Sequence, residues 1–299
     1  MMLNIVGKRA LFFVISAVFI LIGVISLFTF GLRPGIEFSS GSIITLGFEQ
    51  EVNEADLSQE LASLGYGNAV IQTTGGGDFL IRLTELTDAE KTQLEEGLSA
   101  KFGAINETSF ETIDPVIARQ TAQTAGIAVA IAAAGILLYI TWAFRRMPSP
   151  FRYGTCAVIA LIHDVVIVLG IFSILGGVMD WEINIMFITG ILAVIGYSVN
   201  NTVVVFDRVR ENLIRRVSPH FEVVVNSSLT ETLSRSLNTS LTTIFVVLAL
   251  LLFVGAAIQN FAVVLLIGII AGTFSSIGIA PMLLVVWDRW QQIRGQARA

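Results

Sequence analysis

The sequence predicts a multi-pass α-helical membrane protein. It has six transmembrane helices, with one α+β ferredoxin-like extracytoplasmic domain between helices 1 and 2. Three observations lead there. Of 299 residues, 54% are hydrophobic and 14% charged, against about 25% charged in ordinary soluble domains, and the mean hydropathy is +0.78. Six apolar runs are each long enough to cross a bilayer, which takes about 20 residues. One block differs in composition: residues 33–122 carry fifteen Asp and Glu against five Lys and Arg, so the net charge of −5 conceals a positive remainder. No basic patch points to nucleic acid. The single cysteine, Cys156, excludes a disulfide framework and a cysteine-based zinc site.

In chain order, Lys8 and Arg9 precede the run 10–30. It is longer than a signal-peptide core and no small-x-small cleavage site follows, so it is expected to stay as the first span. Residues 1–32 form the N-terminus and that span, 33–120 the outer domain, and 121–299 a five-helix bundle. The outer domain is expected to run strand 42–48, helix 54–64, strand 69–73, turn 74–77, strand 79–83, helix 87–102 and strand 106–113. Thr87 and Glu90 make a capping box for the second helix. The order βαββαβ is the ferredoxin-like arrangement. Five further runs follow, at 124–144, 153–179, 183–206, 236–257 and 261–287. A second capping box, Ser228 with Glu231, predicts that the fifth helix starts there, after a segment at 217–225 suited to the membrane surface.

Arginines set the orientation. Arg145, Arg146 and Arg152 lie between the second and third runs, four arginines between 208 and 216 follow the fourth, and Arg289, Arg294 and Arg298 follow the sixth. The loops 180–182 and 258–260 have no Lys or Arg. The positive-inside rule then puts both termini in the cytoplasm and the acidic block outside. Trp142, Trp287 and Trp290 fall at the cytoplasmic ends, as interface anchors do.

Polar groups inside the spans are the functional candidates, because they are costly there unless they face a partner or a wet cavity. His163 and Asp164 fall about 10 residues, roughly 15 Å, from the cytoplasmic end of the third run. Asn200 and Asn201 lie deep in the fourth. In the fifth, Arg235, Asn238, Thr239, Thr242 and Thr243 recur at helical spacing and make one polar face. These groups are expected to converge in the cytoplasmic half of the bundle. Plainer roles exist for each: interhelical glue for the amides, a structural hydrogen bond for His163–Asp164, snorkelling for Arg235, helix packing for the threonines. Gly268, Gly272 and Ser276 have the small-xxx-small spacing of close helix contacts. An enzyme is not expected. No G-x-S-x-G elbow or H-E-x-x-H pair is present, and no cofactor or metal is implied.

The stretch Gly196–Glu211, GYSVNNTVVVFDRVRE, with Gly196, Tyr197, Ser198, Asp207 and Arg208, resembles the signature of the SecF family of protein-export membrane subunits, within the RND superfamily. Gly35, Glu37, Phe38 and Gly41 resemble the family's G-x-D/E-F-x-G-G motif, His163-Asp164 its H-D motif, and the segment around Arg235 the start of its fifth span. The resemblance implies a bacterial inner-membrane accessory subunit of the Sec translocase. It would work with SecD and the SecYEG translocon, with YajC and YidC as further partners, on unfolded secretory polypeptide, using the proton (or sodium) gradient. Other readings are an RND-type exporter half for a lipid or small molecule and a non-coupled structural scaffold. Two positions depart from the pattern. Ser40 replaces the first glycine of the pair. Asn201 stands where the family has aspartate, and an amide cannot bind and release a proton. A natural variant, an engineered substitution, or coupling through Asp164 or a SecD carboxylate would each account for Asn201.

Overall fold

The computed structural model describes residues 4–73, 77–253 and 256–296. It divides into two compact units. One holds residues 34–126 with 255–257, and the other holds the remainder. Six helices or helix pairs are long and apolar enough to span a membrane.

The small unit has a four-stranded antiparallel sheet in the order β2-β3-β1-β4, with β1 at Gly41–Phe48, β2 at Val70–Thr73, β3 at Phe79–Leu83 and β4 at Ile105–Ile113. Each element lies within two residues of the place its residue pattern predicts; the expected turn over 74–76 lies outside the described residues. Side chains alternate along a strand. Hence Ile44 and Leu46 of β1 and Phe79, Ile81 and Leu83 of β3 enter one core. Two helices complete it. α3 (Glu54–Ser63) contributes Leu57 and Leu61, and α4 (Asp88–Phe102) contributes Leu94 and Leu98. Residues four apart share a helix face. Each helix starts on a side-chain cap. The Asn53 side chain accepts from Ala55 N, and Thr87 and Glu90 form the expected reciprocal box. Such caps contribute about 1 kcal/mol each.

A four-residue helix, α2 (Ile36–Ser39), leads into β1. Its exit is tight. Gly41 has φ +127°, and a Cβ there would meet the Leu83 carbonyl oxygen at 2.6 Å. Ser40 sits at φ 65°, ψ 167°, a region that L residues adopt at a cost of about 1–3 kcal/mol.

The helical unit begins with α1 (Arg9–Thr29) and continues with α5 (Pro115–Ala143), α6 (Pro150–Met179) and α7 (Ile185–Ile214). The first residues of α5, to 126, belong to the small unit. Next come α8 (Phe221–Phe253), α9 (Ala256–Gly278) and α10 (Ala280–Gln296). Proline at the first position starts α5 and α6, where its missing N–H costs nothing. Two expectations need correction. α8 begins at Phe221, so residues 221–225 of the expected surface segment already lie in this helix and only 217–220 precede it. The Ser228 hydroxyl is not an N-cap; it donates back to the Val224 carbonyl inside the helix. The sixth run is also broken at Ile279. Pro281 supplies no N–H for the turn before it, and a helix interrupts there.

Residues 36–118 expressed alone should unfold cooperatively, since the unit encloses its own core; a disordered spectrum would contradict this. In that fragment Ser40→Gly should stabilise by about 1 kcal/mol in urea unfolding, by releasing the strained φ. Hydrogen bonds from the Thr87 backbone and side chain hold the Glu90 carboxyl below its usual 4.5. A depressed carboxyl contributes stability above its unfolded value and loses it as pH falls. The fragment's melting temperature should therefore drop below about pH 4.5, and Glu90→Gln should flatten that dependence.

Candidate polar site within the helical unit

Close approach of backbones positions the site. Gly23 of α1 faces Gly170 of α6 so tightly that a Cβ on Gly170 would lie 2.4 Å from the Gly23 Cα. One turn on, the Ser26 hydroxyl donates to Ser173 Oγ at 2.9 Å. α9 meets α7 in the same way: a Cβ on Gly268 would strike Val194 at 2.1 Å, and one on Gly272 would strike Ser198 at 2.9 Å. The small-residue spacing in α9 is thus a helix contact. Packing of this kind is what holds spans together where no hydrophobic force acts between them.

Within that frame Asp164 is 1% exposed. Its Oδ2 accepts from Ser198 Oγ of α7 at 2.5 Å and from Ser275 Oγ of α9 at 2.7 Å, and its Oδ1 lies 2.9 Å from Nδ1 of His163. The His163 ring is 5% exposed and stacks at 6.2 Å on Phe274. Three spans therefore meet at one carboxylate.

A second cluster centres on Ser240 of α8, which is buried. Its Oγ accepts from the Tyr197 hydroxyl and the Asn201 amide at 3.3 Å each, and shares a third hydrogen bond of 2.6 Å with the Thr273 hydroxyl. Asn201 and Ser198 are neighbours on one face of α7, so the two clusters adjoin. Ser240, Thr273 and Ser275 were not singled out in the sequence. Their one signal there is a hydroxyl inside an apolar run, which is too common to single them out.

The expected convergence of all polar groups does not occur. Asn200, Arg235, Asn238 and Thr242 are exposed. Arg235 reaches neither Asn201 nor Asp164, and among the described residues no hydrogen bond or ion pair engages its guanidinium. The reason is rotational. α8 turns the stripe Ser228, Thr232, Ser236 and Ser240 inward, and residues 235, 238 and 242 fall on its other side. Gly196 is likewise exposed, with nothing within 4 Å of a would-be Cβ.

At the arginine-rich end, ion pairs tie the helices together. Arg208 binds Glu231 of α8 through Nε and Glu211 at 2.5 Å, and Asn212 donates to Ser228 and Glu231 at 3.0 Å each. Asp207 faces Arg210 at 3.4 Å. Arg152, 5% exposed, binds Asp288 of α10 at 2.9 Å. Glu222 holds both Arg9 and Arg289.

The 35–41 motif belongs to the small unit. Gly35 precedes α2, and Glu37 and Phe38 are half-buried. Burial pulls the Arg82 guanidinium of β3 down to about 10, and the Glu37 carboxylate opposes that shift. Glu37 thus compensates a half-buried cation.

Residues 93–290 match the family described as protein export membrane protein SecD/SecF, C-terminal, and residues 25–52 match the SecD/SecF GG motif. The chain is 44% identical to the protein translocase subunit SecF of Thermobaculum terrenum, over 98% of this chain and 96% of that one. It is 40% identical to the SecF of Anaerolinea thermophila, over 96% and 94%. It also resembles the crystal structure of SecDF, a translocon-associated membrane protein from a Thermus species. There the TM-score is 0.85 at 32% identity, covering 97% of this chain but only 39% of that longer one.

Gly170→Leu should drive α1 away from α6, since neither backbone has room. Thermal unfolding of the purified chain in detergent should show a loss of about 3 kcal/mol, and Gly126→Leu, at a glycine with open space around it, should show little.

Proposed function

The chain belongs to the SecD/SecF protein-export family, and we propose that it is a SecF-like accessory subunit of the Sec translocase, assisting polypeptide export across the membrane together with SecD and drawing on the proton or sodium gradient. One observation carries the partnership. The middle of α8 presents Arg235, Asn238 and Thr242 outward. An arginine inside a span faces protein or a wet cavity rather than lipid. The spans of a SecD-like partner supply that surface, and in relatives such as the SecDF of Bacillus subtilis, of which this chain spans 37%, the name joins both parts in one protein. The exposed Asn200 and the bare Gly196 suit the same close contact. Attachment to SecYEG, and to YajC and YidC, rests on the family resemblance.

The orientation follows the arginine bias, with both termini cytoplasmic and residues 33–120 outside, in the bacterial inner membrane. We read the small unit as ferredoxin-like, supported by the βαββαβ order and the antiparallel sheet. Its acidic surface would meet unfolded polypeptide outside. Among the residues inside the spans, Asn201, Asp164, His163 and Arg235 are the ones we place in coupling. Asn201 serves through packing and its bond to Ser240, because an amide does not bind and release a proton as a carboxylate does. The relatives are translocase subunits by name, and no enzymatic role is proposed.

A SecD-like chain co-expressed with this one should copurify with it, and Arg235→Leu should lower the recovered complex several-fold, to the extent of about 1 kcal/mol of association. Recovery of this chain without its partner would overturn the pairing. In a Cys156→Ala background, an impermeant thiol reagent applied from outside should label Glu96→Cys and leave Arg146→Cys unlabelled. The reverse pattern would invert the topology.

A further inference from the structure

The geometry points to His163–Asp164 as a proton-binding site held within this chain, with Nε2 of His163 as the atom that takes the proton. Asp164 lies near the middle of a 30-residue span, roughly 21 Å from either end. Both oxygens of its carboxyl group are engaged. Two serine hydroxyls donate to Oδ2, and His163 Nδ1 lies against Oδ1. With the carboxylate ionised, Nδ1 carries the hydrogen facing Oδ1 and the neutral imidazole's lone pair is on Nε2. That Nε2 is buried and has no hydrogen-bond partner. A histidine placed for structure alone would use both nitrogens, since a buried polar atom left unpaired is costly.

Adding a proton at Nε2 forms one N–H bond and takes the pair from one negative charge to none. A neutral pair is cheaper at mid-span than a lone anion. The proton comes from water and returns to it. The surroundings leave that change to the pair. α1 has no titratable side chain between 10 and 29, and the 147-residue offset of its contacts with α6 sets its buried Ser16 level with His163. α9 has none in its whole length. On α7, Tyr197 is engaged with Ser240. On the part of α5 within the helical unit, Tyr139 is exposed. On α6 itself, Tyr153, Arg152 and Cys156 are two or more turns away, and Asp288 of α10 is paired with Arg152.

This site deepens the coupling reading and rests on it for its use, though not for the protonation itself. The chain has two histidines, His163 and His220. In the full chain labelled with 15N-histidine in lipid nanodiscs, His220→Gln assigns the remaining signal. As pH is lowered, the His163 signal should pass from the Nδ1–H neutral tautomer to the doubly protonated form. A ring that holds one state throughout overturns the proposal. In vesicles containing the chain and its SecD partner, the ratio of export with the gradient to export with it collapsed should fall about tenfold in His163→Gln and in Asp164→Asn. If export follows the gradient and His163 never titrates, the site is wrong and coupling stands. If His163 titrates and export ignores the gradient, the site stands and the coupling reading is wrong.

Discussion

A carboxylate at the centre of a membrane span has no water to solvate it, so the protein must bring donors to it. Asp164 receives them from Ser198 on α7 and Ser275 on α9, with His163 beside it. Those bonds exist only if the helices lie close. Gly272 makes the approach to Ser198 possible and Gly268 the approach to Val194. The small residues and the polar cluster are therefore one constraint. Replacing the glycines would open the contact, and opening the contact would strand the charge. α1 obeys the same logic on the other side of α6, through Gly23, Gly170 and the Ser26–Ser173 bond.

Against this satisfied interior stands the outward face of α8. Ser240 joins three hydrogen bonds and is buried, whereas Arg235, five residues away, is exposed and has no side-chain partner among the described residues. A chain alone in lipid could not keep such a group there cheaply. In our reading the face is half of an interface, and the longer SecDF relatives, of which this chain spans about two fifths, leave the larger share of their length to a second part. The ion pairs at the arginine-rich end serve another purpose. Glu222 and Glu231 each join separate helices, which fixes the start of α8 against α1, α7 and α10 without burying an unpaired charge.

The small unit solves an aqueous problem. Its core is made by period-two apolar residues in β1 and β3 against i, i+4 leucines in α3 and α4, and its charge is at the surface. The entry turn is where sequence and geometry conflict. Gly41 meets a positive φ that glycine suits, while Ser40 bears one that it does not. Beside that turn, the Glu37 carboxylate opposes the downward shift that burial imposes on Arg82.

Several features were legible from residue order because they depend on local periodicity. The six spans, the strand and helix positions of the small unit and the Thr87–Glu90 cap follow from spacing along the chain. Helix ends were less legible. Ser228 and Glu231 have the spacing of a cap, but the helix had already begun at Phe221, and nothing local forbids that extension. Which polar stripe of α8 faces inward lay beyond the sequence altogether. Ser228, Thr232, Ser236 and Ser240 make one stripe, Arg235, Asn238 and Thr242 another, and both have helical spacing. Only the packing of α8 against α7 and α9 chose between them, because burial depends on how a helix is rotated about its axis, and hydrophobic periodicity cannot set that rotation when both faces are polar.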